Sequence, residues 1–192
     1  MEKKEFNASN NNMEYDKYFK VESATITETL NGVFKASYKR YRLVRPDAAG
    51  ILLYNKDTEK VILVKQFRFP IAEKSNEFVL EIVAGKIDKG ETPEQAAVRE
   101  LAEEVGYTVS EDRLGKSVEF FASPGYSSEK LFVFMVIVSN EDKTGTGGGV
   151  ATENESLEIV EVSKDDFKNM VLNGEIQDSK TLIASNFLFH RV

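Results

Sequence analysis

The sequence predicts an α/β (α+β) fold in which helices flank a mixed sheet, and two observations carry this prediction. Short apolar stretches typical of strands are interspersed with helical segments, without the strict alternation of βαβ units. Of the 192 residues, 41% are hydrophobic and 10% are aromatic, which is enough for a sizeable core in one domain. The longest apolar run, 131–138, is far too short to span a bilayer, so we expect no membrane partner.

Each element of the predicted fold has a local signal. The helix at 163–174 begins at a capping-box-like serine and ends at a glycine. A polar, glycine-containing loop is predicted at 140–156. Loops of this length inside a compact domain are more often functional than not. Strands are predicted over 48–54, 61–66, 78–83, 118–122, 131–139 and 157–162, and helices over 92–106, 163–174 and 179–189.

The N-terminal part of the chain differs in character from the rest. Residues 1–12 are polar and rich in asparagine, which favours a disordered tail. Residues 13–45 contain two strand-like stretches separated by Asn31-Gly32, a strong hairpin signal. We therefore expect a small antiparallel β segment at 13–45, placed before a main domain at 46–192.

Charge and composition exclude several classes of function. Lys and Arg total 25 and Asp and Glu total 32, a formal net charge of −7, which matches a nucleic-acid backbone poorly. The absence of cysteine excludes disulfides, thiolate metal sites and a cysteine nucleophile. The single histidine, His190, argues against a Ser-His-Asp triad or a multi-histidine zinc site. We expect a cytoplasmic protein that does not bind nucleic acid.

The segment at 92–106 carries the clearest helix signals in the chain. Thr92 is a favoured N-cap residue, Pro93 suits the first helical position, and Gln95 completes a capping box. Gly106 supplies a C-terminal stop. The ends are defined well enough to place the helix contents on a wheel.

Three carboxylates share one face of this helix. At about 100° per residue, with Glu100 at zero, Glu104 lies near 40° and Glu103 near −60°. Such neighbouring like charges repel one another, and a hard divalent cation such as Mg²⁺ would remove the conflict. A solvated acidic face is the alternative, since Glu is a strong helix former.

The surroundings of these carboxylates match a known family. The segment reads G-x5-E-x7-R-E-L-x-E-E-x-G-Tyr, which resembles the signature box of Nudix hydrolases at every fixed position. This resemblance implies an α/β/α sandwich with a mixed sheet and metal-dependent hydrolysis of a nucleoside diphosphate linked to another moiety. The matching residues are Gly85, Glu91, Arg99, Glu100, Leu101, Glu103, Glu104 and Gly106, with Tyr107 in the final bulky position.

Three stretches outside the box resemble ADP-ribose pyrophosphatases and their nucleotide-sugar relatives. They lie at 64–70, 80–87 and 123–129, and they read V-K-Q-F-R-F-P, L-E-I-V-A-G-K-I and S-P-G-Y-S-S-E. The second departs from that group at Val83, where proline is usual. In that group the N-terminal segment forms a small sheet exchanged across a homodimer, so the resemblance implies a homodimer here.

The resemblance assigns roles to residues of the box. It implies that Mg²⁺, with Mn²⁺ as the second candidate, is bound by four carboxylates and a backbone carbonyl. Arg99 orients these carboxylates, and Arg99 and Glu103 belong to the catalytic set. The implied metal ligands are Glu91, Glu100, Glu103, Glu104 and the carbonyl of Ala84.

A catalytic base is expected in the loop after the box. In the resembling group a glutamate on a mobile loop has this role, and here a glycine-rich stretch at 145–149 precedes two candidates. Glu153 is the first choice and Glu155 the second. The alternative is that both are solvated loop acids.

Four further residues are candidates for binding substrate. Arg68 follows a predicted buried strand, where a bidentate fork would reach a phosphate; a surface ion pair is the alternative. Ser127 and Glu129 follow a Pro-Gly turn that would bring them towards the site, or they form a plain turn. Arg40 is a candidate contact to the partner subunit's substrate, or a solvated charge.

Function is predicted at the level of the reaction, with alternatives for the substrate. The first hypothesis is hydrolysis of ADP-ribose to AMP and ribose 5-phosphate. The second is hydrolysis of GDP-mannose or another nucleoside-diphosphate sugar, since these enzymes share most of the motifs. The third is a non-catalytic nucleotide-sugar sensor, which the intact box argues against.

Overall fold

The computed structural model describes residues 2–74, 78–149 and 157–191. The chain divides into two compact units. We call Met1–Pro46 with Phe121–Glu129 the N-terminal unit, and Asp47–Phe120 with Lys130–Val192 the main unit. In the described part of the chain, no helix has the length and apolarity needed to cross a membrane.

The N-terminal unit contains a three-stranded antiparallel sheet in the order β1-β2-β3, formed by β1 (Lys4–Asp16), β2 (Lys20–Leu30) and β3 (Val33–Val44). Asn31 and Gly32 both have positive φ, 50° and 79°, as a tight hairpin turn requires. The predicted hairpin is therefore present.

Strand β1 differs from the expected disordered tail over residues 1–12. It pairs with β2 from Lys4↔Leu30 to Asp16↔Lys20, with irregularities near Asn12 and Tyr15. Nearly all of its residues are exposed, so backbone pairing rather than core burial holds it. Asparagine is depleted in strands, which is why composition alone suggested a tail.

The main unit is built on a seven-stranded mixed sheet. Its central path runs β10-β5-β4-β9-β8, with β6 paired to β5 and β7 paired to β4. Strands β4 and β9 run parallel, and β4 pairs with β5 and β7 in antiparallel fashion. The strands are β4 (Ala48–Asn55), β5 (Lys60–Phe67), β6 (Phe78–Glu81), β7 (Val83–Lys86), β8 (Val118–Phe121), β9 (Lys130–Val138) and β10 (Leu157–Ser163).

Three helices pack on this sheet and confirm the predicted fold class. Helix α1 contacts β4 and β7, α2 contacts β5 and β10, and α3 contacts β4 and β9. They span α1 (Pro93–Glu100), α2 (Lys164–Leu172) and α3 (Ser179–Arg191), and single 3₁₀ turns lie at Phe69–Ile71, Glu111–Arg113 and Asn140–Asp142.

The helix predicted over 92–106 is α1 followed by a wider turn. Its capping box is present, because Thr92 Oγ1 accepts from Gln95 N at 3.2 Å and Gln95 Oε1 accepts from Thr92 N at 3.0 Å. From Leu101–Val105 the chain forms a π turn that ends at Gly106, whose φ is 74°. The uniform 100° spacing of the wheel therefore fails after Glu100.

The core of the main unit lies between α1 and the sheet. Ala97, Leu101 and Val105 have no exposed surface, and they pack with apolar residues of β4, β5 and β9. This apolar stripe fixes the rotation of the helix about its axis. The carboxylates at 100, 103 and 104 therefore lie on a different side of the helix from the stripe.

Candidate active site

Glu100 and Glu104 are buried carboxylates on the helix that begins at Thr92. Their residues are only 8% and 3% exposed. Gly85 in β7 makes room for the first of them, because a Cβ at this position would overlap the Glu100 carboxylate. Burying ionised carboxylates is costly unless positive charge compensates them, so this site needs cations.

Arg99 supplies one positive charge and contacts three carboxylates. Its Nε donates to Glu91 Oε1 at 3.0 Å and its Nη2 to Glu91 Oε2 at 3.1 Å. Its Nη1 donates to Glu100 Oε1 at 2.7 Å and to Glu103 Oε2 at 3.0 Å, and Nη2 also reaches the Lys86 carbonyl at 2.9 Å. Arg99 therefore ties together three of the four box carboxylates, and its orienting role stays a prediction.

These ion pairs shift the pKa values of both partners. The hydrogen bonds from Arg99 lower the pKa of Glu91. In turn, the Glu91 carboxylate, with help from Glu100 and Glu103, raises the pKa of Arg99 above its usual value, although burial opposes this. Both groups are therefore charged at neutral pH.

We call Glu91, Glu100, Glu103, Glu104 and Arg99 the carboxylate cluster. Among the described residues, no three acidic side chains already converge as a metal cage, and Arg99 draws three of the four carboxylates towards itself. The donor set nevertheless fits a divalent cation, since hard oxygen ligands are those that Mg²⁺ prefers. The Glu100 carboxylate lies against Gly85, which has no side chain in its way and which follows Ala84 in β7.

Arg68 is engaged by a carboxylate that sequence reasoning missed. Its Nε and Nη2 donate to the two oxygens of Glu81 at 2.7 and 2.9 Å, so the ion-pair alternative describes the structure. Glu81 is buried, at 3% exposure, whereas the Arg68 side chain remains 42% exposed. Among the described residues, Nη1 of Arg68 has no hydrogen-bond acceptor.

Helix α3 adds two more charged groups to this pair. Lys180 donates to Glu81 and, at 2.9 Å, to Asp178. We call Arg68, Glu81, Lys180 and Asp178 the balanced network. Burial alone would raise the pKa of Glu81, but the hydrogen bond from Arg68 and the charge of Lys180 outweigh burial and lower it.

One signal of the balanced network was present in the sequence. Glu81 is a lone acid in the apolar stretch L-E-I-V, and a buried charge of this kind needs a partner. The identity of the partner was not readable, because Lys180 is 99 residues away along the chain.

The remaining candidates for substrate contact lie in the N-terminal unit. Arg40 is exposed, and its guanidinium stacks on the Tyr38 ring at 4.2 Å. Ser127 Oγ accepts from the backbone N of Glu129 at 3.2 Å, and the Glu129 carboxylate lies 3.8 Å from Arg45. The turn alternative thus accounts for the contacts that Ser127 makes. The candidate bases Glu153 and Glu155 lie outside the described residues.

Comparisons with known proteins find similarity along most of the main unit. The family described as NUDIX domain matches residues 44–182. Proteins named GDP-mannose pyrophosphatase are similar along most of the chain. Those of Citrobacter koseri and Salmonella arizonae are each 35% identical over 175 residues, covering 90% of this chain and 89% of theirs.

A solved structure agrees at the level of the fold. The crystal structure of an ADP compounds hydrolase superposes with a TM-score of 0.73 at 21% identity, covering 96% of this chain and 92% of that one. The family match spans the carboxylate cluster and the balanced network. The chain therefore belongs to the Nudix family of pyrophosphohydrolases.

Proposed function

We propose that this chain hydrolyses the pyrophosphate of a nucleoside-diphosphate sugar, with GDP-mannose as the first substrate. The carboxylate cluster supports the reaction class, because three acids around one guanidinium leave an excess of negative charge that a divalent cation would neutralise. The 35% identity to GDP-mannose pyrophosphatases over 90% of the chain supports the substrate. The products would be GMP and mannose 1-phosphate.

The metal would be held by the carboxylate cluster. Glu100 and Glu104 are the principal proposed ligands, with the Ala84 carbonyl beside them and Glu91 and Glu103 completing the set. A bound Mg²⁺, or Mn²⁺ in its place, would neutralise phosphate charge and lower the pKa of the attacking water. Arg99 holds its carboxylate partners in place for this role through these hydrogen bonds.

Proton transfer and phosphate binding are proposed for two other regions. Glu153, with Glu155 as the second candidate, would accept the proton of the attacking water. Arg68 would bind a substrate phosphate through Nη1, while its other edge stays on Glu81. An arginine fixed on a buried carboxylate loses little side-chain freedom when it binds.

ADP-ribose, the first hypothesis from the sequence, becomes the second candidate substrate, because the relatives at 35% identity are named for GDP-mannose. The stretches at 64–70, 80–87 and 123–129 are those that resemble ADP-ribose pyrophosphatases. Its hydrolysis would use the same carboxylates and yield AMP and ribose 5-phosphate, so the two candidates differ in recognition of base and sugar rather than in chemistry.

Product analysis tests the proposed function. The purified protein is incubated with Mg²⁺ and, separately, GDP-mannose, ADP-ribose and ADP-glucose, and nucleotides are resolved by chromatography, with Glu104→Gln as the inactive control. GMP forming fastest from GDP-mannose is the expected result. AMP forming fastest from ADP-ribose would select the second candidate. Tight binding without turnover of any compound would contradict both and favour a sensor.

We further propose that the protein is a homodimer joined through its N-terminal unit. Large apolar side chains on this unit are unusually exposed, and such patches on a soluble domain mark interaction surfaces. Light scattering should give twice the 21.6 kDa chain mass; a monomer mass would contradict the proposal. The exposed side chains are Phe6, Met13, Tyr15, Tyr18, Phe19, Val33, Phe34 and Tyr41.

A further inference from the structure

The backbone after the 3₁₀ turn at Asn140–Asp142 docks on the end of the helix that carries the carboxylates. We call residues 144–149 the glycine clamp. Carbonyls in a final helical turn lack partners within their own helix, and here the clamp supplies them. Four backbone hydrogen bonds join the segments: Gly149 N to Glu103 O (3.2 Å), Gly148 N to Glu104 O (2.9 Å), and Thr144 N and Gly145 N to Gly106 O (2.9 and 3.0 Å).

Gly147 lies at the closest approach between the two backbones. A Cβ on this residue would lie 2.5 Å from the Glu104 carbonyl oxygen and 2.6 Å from the Val105 Cα. Its φ of +65° is also in the region that only glycine adopts readily. A side chain at this position would therefore have to displace backbone, on one segment or the other.

The start of the clamp is tied down by a separate group of contacts. Arg113 holds Asp142 through two hydrogen bonds, of 2.5 and 3.0 Å, and the Ser139 backbone N donates to the same carboxylate at 2.7 Å. Arg113 and Ser139 lower the pKa of Asp142 far below its usual range. The carboxylate is thus ionised at neutral pH, and the segment enters the clamp from a fixed point.

The clamp therefore acts on the residues that the metal site depends on. Glu103 and Glu104 offer their carbonyls to the clamp, and their carboxylates belong to the carboxylate cluster. They lie in the π turn at Leu101–Val105, where the direction of each side chain follows from a backbone that departs from α-helical spacing. Because the clamp binds these two carbonyls, it also holds the π turn in its shape.

We infer that Gly147 is a positioning residue for the metal site: the glycine clamp keeps the π turn in shape and thereby directs the carboxylates of Glu103 and Glu104. This inference rests on the metal-binding part of the proposed function. It does not depend on which nucleotide sugar is hydrolysed, because it concerns how the clamp holds the helix end and not how a base or sugar is recognised.

The test is metal binding without substrate, comparing Gly147→Ala with Gly174→Ala. Both glycines have similar φ, +65° and +75°, but a Cβ at Gly174 would meet nothing within 4 Å. Both variants therefore bear the similar cost of a left-handed alanine, and only the first forces the clamp away. Electron paramagnetic resonance of free Mn²⁺ should show a dissociation constant raised at least tenfold in Gly147→Ala and less than twofold in Gly174→Ala.

A second variant covers the case in which Gly147→Ala does not fold. Arg113→Ala frees Asp142 without touching the carboxylate cluster, and it makes the protein more negative, which by charge alone would strengthen Mn²⁺ binding. We expect binding about threefold weaker instead. A folded variant of either kind that binds Mn²⁺ as Gly174→Ala does would overturn the inference. Tight Mn²⁺ binding by a wild-type protein that hydrolyses no nucleotide sugar would reject the proposed substrates while leaving the role of the clamp measurable.

Discussion

The carboxylate cluster and the balanced network are both charged groups in the main unit, and they differ in charge balance rather than in burial. Glu104 and Glu81 are each 3% exposed. Around Arg99, however, three carboxylates meet one guanidinium, whereas Glu81 and Asp178 meet two cations, Arg68 and Lys180. Burial of an acid alone therefore does not distinguish the two groups.

From this difference we expect the carboxylate cluster to serve catalysis and Glu81 in the balanced network to serve stability. A balanced group of buried charges stabilises only while all members are present, because removing one leaves the others uncompensated. A group with three carboxylates around one guanidinium carries excess negative charge, which we propose an added cation neutralises. Three predictions follow this distinction from the largest expected effect to the smallest.

The first prediction separates activity from stability at the carboxylate cluster. Glu104→Gln should lower kcat about 10³-fold, or about 4 kcal/mol at 1.36 kcal/mol per tenfold change, because a proposed metal ligand is lost. Urea unfolding should show no loss of stability above about 1 kcal/mol, since removing one of several like charges relieves repulsion. A variant with more than a tenth of wild-type turnover would exclude Glu104 from the metal site.

The second prediction reverses that pattern in the balanced network. Glu81→Gln keeps the shape of the side chain but leaves Arg68 and Lys180 without their shared carboxylate. Breaking a buried ion pair on one side costs about 3 kcal/mol, so the free energy of unfolding should fall by about this amount at pH 7. Lys180→Met in the Glu81→Gln background is the matched control, and it should recover part of the loss.

The pH dependence of this loss follows from the lowered pKa of Glu81. A carboxyl with a lower pKa in the folded state adds stability above its unfolded pKa, about 4.3, and this stability disappears as pH falls through the folded value. The difference between wild type and Glu81→Gln should therefore be largest near neutrality and shrink below about pH 4. A constant difference down to pH 2 would show that Glu81 is not the titrating group.

Local parts of the site were predictable from the sequence because their geometry is set within a few residues. The capping box at Thr92 and Gln95 depends on helical spacing alone, and the pairing of Arg99 with Glu103 spans only four residues. The turn at Asn31-Gly32 likewise needs only its own two residues.

The rest depends on contacts that the local sequence does not contain. The π turn at Leu101–Val105 offers its carbonyls to the glycine clamp, some 40 residues later in the chain. The partner of Arg68 is set by the pairing of β5 with β6, which places Glu81 opposite Val64. Strand β1 exists because β2 offers it an edge, although its own composition is unfavourable.

The third prediction is the smallest effect and tests the charge argument without catalysis. A ligand that binds only the folded state at ten times its dissociation constant adds about 1.4 kcal/mol of stability, which is about 4 °C in Tm for a chain of this length. Mg²⁺ should therefore raise the Tm of the wild type and of Glu81→Gln by about this amount, and Glu104→Gln should lose the shift. Equal shifts in all three proteins would place the bound cation elsewhere. A shift lost only in Glu81→Gln would mean that the balanced network, and not the excess of carboxylates around Arg99, controls metal binding.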